Sequence, residues 1–229
     1  MKRLKDIALL TLLAGGSTAA LAAGPTAELK VTGRISPPVC TVALASNGVV
    51  DYGTRMHGTT WTTDLKLQER TLANAFTITC DSPTAIGVAF TNNRVPSNGG
   101  NAAATNAAQG VIAAGANGGW GLGLDASGNK VGGYTSSVGN ATVDGTAARW
   151  ILKSAQGEIK NNWAQVAGDE GGAADSRAYA FSSDGTALAI GQVFKADYSV
   201  AASVAPRDKL DLSQAVNLDG SVTLQVNYL

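Results

Sequence analysis

The chain has 229 residues, with 17 basic and 17 acidic side chains, 28 glycines, two cysteines and a single histidine. That balance leaves no basic field for nucleic acid or an anionic membrane surface, and one histidine rules out a histidine metal cluster. Abundant Gly, Val, Thr and Ala without sustained helical spacing point to a single all-β sandwich of about ten short strands, one of the folds that accommodates this length as one domain.

Met1-Lys2-Arg3-Leu4-Lys5 is a basic head, Ile7 to Ala14 is an apolar run too short to cross a bilayer, and Ala20-Leu21-Ala22 is a small-x-small pattern. Residues 1–22 therefore read as a secretory signal peptide cleaved after Ala22 or Ala23. The expectation is an exported domain over 23–229 that starts in the periplasm and inserts nothing into the membrane. Loss of Lys2, Arg3, Lys5 and Asp6 leaves 14 basic against 16 acidic residues. In an oxidising compartment the even pair Cys40 and Cys80 reads as a disulfide, and the closed loop of about 40 residues corresponds to roughly 4 kcal/mol of chain entropy.

From Ala27 to Ile35 the chain alternates, with Leu29, Val31, Gly33 and Ile35 on one face and Glu28, Lys30, Thr32 and Arg34 on the other. This predicts a half-buried strand ended by Ser36-Pro37-Pro38. Cys40, Val42 and Leu44 begin a second strand, Asn47-Gly48 a turn, and Val49 to Gly53 a third. Arg55 to Arg70 has no sustained period. Phe76, Ile78 and Cys80 alternate before a turn at Asp81-Ser82-Pro83, and Ile86, Val88 and Phe90 alternate after it, so Cys80 faces inward at a strand end as Cys40 does.

Residues 92–119, dominated by Asn, Ala and Gly, read as a surface insert. Strands are expected around Trp120 to Leu124, Lys130 to Tyr134, Arg149 to Lys153, Ala178 to Ser182 and Val193 to Val200, with Leu210 and Leu212 following a charged turn. After Asp219-Gly220 the final strand alternates: Val222, Leu224, Val226 and Tyr228 form one apolar row, and Thr223, Gln225 and Asn227 face away. An apolar, aromatic terminus belongs either to an ordinary closed sandwich or to an edge that a partner covers.

No catalytic, cofactor or metal site emerges. Gly-x-Ser-x-Gly is absent, and Gly119-Trp120-Gly121-Leu122-Gly123 lacks the following helix that a phosphate cradle needs. Asp169-Glu170, adjacent in sequence, point apart on a strand, and His57 lies in a loop. Trp61, Trp120 and Trp163 are the aromatics a glycan-binding module would present, although tryptophan is more often buried.

Ile35-Ser36-Pro37-Pro38-Val39-Cys40, Val49-Val50-Asp51-Tyr52-Gly53, Asn92-Asn93-Arg94, Gly121-Leu122-Gly123-Leu124 and Asp219-Gly220-Ser221-Val222-Thr223-Leu224 occur in this order, together with a second cysteine ending a Phe-x-Ile-x-Cys strand and a penultimate tyrosine. In these features the chain resembles a chaperone–usher fimbrial subunit, and more closely an uncharacterised fimbrial-like family of Gram-negative bacteria known only as a domain of unknown function. The resemblance implies an incomplete immunoglobulin-like sandwich, completed first by a strand from a periplasmic chaperone and then, at an outer-membrane usher, by the amino-terminal extension of a neighbouring subunit. It makes Val222, Leu224, Val226 and Tyr228 the edge that meets the partner, and Leu29, Val31, Gly33 and Ile35 either a donor face or the chain's own first strand. Burying about four apolar side chains in such a groove is worth on the order of 6–12 kcal/mol. Only about 17 residues separate the expected mature start from Cys40, little room for both a donor and a first strand. A tip or minor subunit, or a sandwich that completes itself, therefore stands beside a shaft subunit.

Overall fold

The structure, a computed structural model, describes residues 24–54, 61–97, 120–153, 164–165, 171–172 and 178–229. It divides into two units, Met1–Ser36 and Pro37–Leu229. In the first, residues 24–36 carry no regular secondary structure, and Leu29, Val31 and Ile35 are 96%, 99% and 101% exposed. The half-buried strand expected over Ala27 to Ile35 is not formed. Alternation supplies an apolar face, but a strand also needs a partnered edge, and this segment is paired with none.

The second unit is all-β and its strands pair antiparallel. One sheet orders β1 (Cys40–Leu44), β3 (Arg70–Thr84), β12 (Gly191–Val204), β6 (Gly132–Val143) and β10 (Gly171–Gly172); the short strands β2 (Leu65–Lys66), β5 (Trp120–Gly121) and β7 (Thr146–Ala147) join its flanks. The other orders β13 (Val222–Tyr228), β4 (Ile86–Asn92), β11 (Ala178–Ser182), β8 (Arg149–Lys153) and β9 (Ala164–Gln165). The alternating rows of the central strands meet between the sheets: Phe76, Ile78, Phe194 and Val138 from one, Val88, Phe90, Tyr179 and Phe181 from the other. Trp150 packs 4.5 Å from Phe181, centroid to centroid, and Phe181 lies 5.0 Å from Phe194. Phe194 is fully buried. Phe194→Ala is therefore expected to destabilise the domain by about 3–5 kcal/mol, read as a lower urea midpoint at constant slope.

Cys40 stands directly opposite Cys80 in the β1–β3 register, and the two form the expected disulfide. Other expectations are corrected. Val49 to Gly53 joins no ladder; Ser46 and Asn47, both left-handed (φ 49° and 53°), turn the chain after β1, and the following residues run unpaired. β3 continues through Asp81-Ser82-Pro83 to Thr84, so the turn into β4 comes at Ala85. β6 runs far beyond Tyr134. Its continuation, Thr135-Ser136-Ser137, looks like loop chemistry yet is buried, and Ser136 Oγ accepts the indole N–H of Trp120 at 2.8 Å. The apolar periodicity misses this stretch because its buried side chains are small and polar, and Ser136 is satisfied by the Trp120 indole rather than by apolar packing.

Candidate functional site

Among the described residues, β13 lies at the edge of its sheet and pairs with β4 alone. Its register sets Val222 opposite Asn92, Leu224 opposite Phe90 and Val226 opposite Val88. Flanking bonds from Asn93 N–H to Ser221 C=O (3.0 Å) and from Leu229 N–H to Ala85 C=O (3.1 Å) fix the phase of the ladder. In an antiparallel pair the bonding residues alternate, so Ser221, Thr223, Gln225, Asn227 and Leu229 turn their peptide groups toward β4. Val222, Leu224, Val226 and Tyr228 turn theirs outward. The same four residues carry the apolar row, and Val222, Leu224 and Val226 pack only partly on the core.

On the other sheet, β1 is also an edge strand. Its inward row, Cys40, Val42 and Leu44, stands opposite the buried Cys80, Ile78 and Phe76, yet Val42 and Leu44 remain 45% and 49% exposed. Two inward-facing rows left half-open at adjacent sheet edges define a seam. At one end the lips touch, where the Tyr228 hydroxyl accepts the Cys40 backbone N–H at 2.9 Å. Toward the other end they part, and Val50 and Tyr52 face Ser221 and Val222 across a cleft of about 210 Å³.

Three tyrosines line or floor that cleft. Tyr52 donates its hydroxyl to the Val200 carbonyl at 2.9 Å. Tyr134 and Tyr198 line the cleft, and burial pushes both phenols well above their ordinary range. They stay neutral at any physiological pH and bring no charge to the cleft. Gly220 is required against Tyr134: a Cβ there would lie 2.6 Å from the ring.

A second cleft, of about 350 Å³, continues from the first, sharing Tyr52 and Leu218 with it. It is walled by Trp61, Leu65, Leu67, Leu210 and Val216, with Arg207 on its lining. Its floor strap, residues 210–219, is held mainly by carboxylates. Asp125 accepts the Asp211 backbone N–H at 2.7 Å, Asp211 accepts the Ser127 hydroxyl at 2.6 Å and the Ser213 N–H at 3.0 Å, and Asp219 takes Arg94 through two bonds of 2.7 and 2.8 Å. These donors pull all three carboxyls below their ordinary value: Asp125 chiefly through the Asp211 N–H, Asp219 through Arg94, and Asp211, through Ser127 and then Ser213, to about 2.

A depressed folded-state pKa stabilises fully above the unfolded value and loses that contribution as pH falls through the folded value. The strap is therefore expected to hold at pH 5 and to loosen between about pH 4 and 2, read as a change in Trp61 emission that Asp211→Asn moves to neutral pH.

The structure brings the expected edge row Val222, Leu224, Val226 and Tyr228 together with Cys40 and Cys80 at one seam. Leu29, Val31, Gly33 and Ile35 lie in the amino-terminal unit, exposed and unpaired. Trp120 is buried behind its bond to Ser136 and presents nothing to a ligand; Trp61 lines a cleft, and Trp163 falls outside the described residues, as do His57, Asp169 and Glu170. Most of the insert expected over 92–119 does too, although Asn92 ends β4. Among the described residues no group of acidic, histidine or cysteine side chains is placed to hold a metal, and no helix is long and apolar enough to cross a membrane. Sequence reasoning missed Tyr134, Tyr198 and the 210–219 strap, because the seam gathers them from segments with no local pattern in common.

The fold and seam thus define an antiparallel β-sandwich with one disulfide and a carboxyl-terminal strand whose outer edge has no partner among the described residues. Residues 29–135, just under half of the chain, match the model of a family described as Protein of unknown function (DUF1120), which supports an uncharacterised domain family. No curated protein matches the chain.

Proposed function

We propose that the protein is an exported, fimbrial-like structural subunit, with a pilin-like, immunoglobulin-like sandwich completed by a β-strand from another polypeptide, serving pilus assembly or cell adhesion. The observation that carries this reading is the β13 edge: the four residues whose peptide groups face outward also carry the half-covered apolar row. A strand laid there gains ladder bonds along its backbone and buries alternate side chains between the lips, which is β-strand addition. An outer edge of this kind is otherwise a liability that folds blunt with charge or proline, and Val222 to Tyr228 contains neither.

The partners in this reading are a periplasmic chaperone, an outer-membrane usher and neighbouring subunits. The exposed alternation Leu29, Val31, Gly33, Ile35 is the donor, since the first strand of the domain is β1 and the segment is not spent within the chain's own ladders. Four alternate positions on the donor match four on the edge, so one strand fills the seam's length in register. No catalytic role enters the proposal. The test is deletion of residues 24–35 from the chain expressed with its signal. Multimers that withstand cold detergent and fall apart on boiling are expected to vanish while the monomer stays disulfide-bonded; undiminished multimers refute the donor assignment.

A further inference from the structure

The larger cleft carries a charge that the seam itself lacks. Arg207 follows Pro206 in the turn after β12, and its guanidinium carbon lies 6.0 Å from the centre of the Trp61 ring. The pair is fixed through the backbone: Arg207 N–H donates to the Trp61 carbonyl at 3.2 Å, and the Trp61 indole N–H donates to the Ala205 carbonyl at 2.8 Å. Neighbouring ions are already engaged, Asp208 with Lys209 at 3.4 Å and Asp219 with Arg94 at 2.7 Å. Among the described residues no carboxylate lies within ion-pair distance of Arg207. A guanidinium set beside an indole at the wall of a cleft of mixed polar and apolar lining is shaped to grip a carboxylate with paired bonds.

We propose that this cleft is a terminal subsite of the seam and takes the carboxylate-bearing end of the inserted strand. Arg207 pairs with an aspartate or a glutamate of that strand while Trp61, Leu65, Leu210 and Val216 hold its apolar stem. The inference rests on the strand-addition reading and adds to it a determinant of register. Slipping an alternating strand by one residue turns its apolar row outward and is rejected by the seam. Slipping it by two keeps the row inward, and the apolar seam alone discriminates weakly against that. A single fixed charge at one end distinguishes the two-residue slips, because the misplaced strand leaves the guanidinium and the carboxylate unpaired.

The experiment uses the full mature chain and labelled peptides built on the row Leu29 to Ile35, each extended by two residues that carry Glu or Gln, at either the amino or the carboxyl end. Affinity is read by fluorescence anisotropy. At one of the two ends the Glu peptide is expected to bind about tenfold more tightly than its Gln counterpart, with an advantage that shrinks at high salt. Arg207→Gln is expected to erase that advantage and leave the Gln peptides bound as before, while Arg207→Lys keeps part of it. Equal binding of Glu and Gln peptides at both ends, or a preference that survives Arg207→Gln, overturns the subsite and leaves strand addition standing. Failure of every peptide to bind overturns strand addition at this seam, and the subsite with it.

Discussion

Replacing Cys40 and Cys80 together by alanine is expected to lower the unfolding free energy by about 4 kcal/mol, the chain entropy released when a closed loop of 40 residues opens. For a domain of this size that corresponds to a drop in Tm of roughly 8–16 °C. The loss falls on the weakest part of the sandwich. β1 is an edge strand, and its inward Val42 and Leu44 are only half covered, so packing holds it poorly without the covalent tie to β3. It also supplies the Cys40 N–H that the Tyr228 hydroxyl accepts, so β1 and β13 are expected to loosen together. Urea titration checks the magnitude, with a lower midpoint and a slope that rises as the unfolded chain expands. A midpoint unchanged from the oxidised protein contradicts a structural role for the bridge.

Leu224→Asp is the second large effect, and it is expected to fall more on assembly than on folding. Leu224 is partly buried against the core in the lone chain, so the change also costs the monomer some stability, which its urea midpoint reads. Once a strand covers the seam, the same carboxylate is buried without a partner, and capture of the strand is expected to weaken on the order of 100-fold or more. Gln225→Asp, one residue along on the solvent face of β13, is the control and is expected to leave capture nearly unchanged. Co-purification of multimers with each variant, beside its urea midpoint, separates the two effects. Equal loss in both variants removes the seam from the account.

Much of this architecture can be read from residue order, and the reasons are local. Cys40, Val42 and Leu44, or Val222, Leu224 and Val226, announce their faces because a strand has period two and only one side is covered. The disulfide follows because both cysteines end inward rows. The same rule misjudged Ala27 to Ile35 and Val49 to Gly53, which have the alternation but no ladder partner. Pairing is a non-local property, and an edge that awaits another polypeptide has the same sequence as one already filled. β6 escapes the same rule for the opposite reason, since its buried Thr135-Ser136-Ser137 stretch is polar and shows no apolar alternation. The clefts were illegible because Tyr52, Trp61, Tyr134, Tyr198, Arg207 and Leu218 are distant in sequence and meet only through the topology.

The outer edge of β13 tests the central claim most directly through hydrogen exchange, residue by residue, in the lone subunit and in the multimer. In the lone subunit the amides of Thr223, Gln225, Asn227 and Leu229, which face β4, are expected to exchange slowly, while those of Val222, Leu224, Val226 and Tyr228 exchange fast; in the multimer both sets are slow. Equal protection of both sets in the lone subunit would mean that the chain already covers its own edge, and would contradict completion by a borrowed strand.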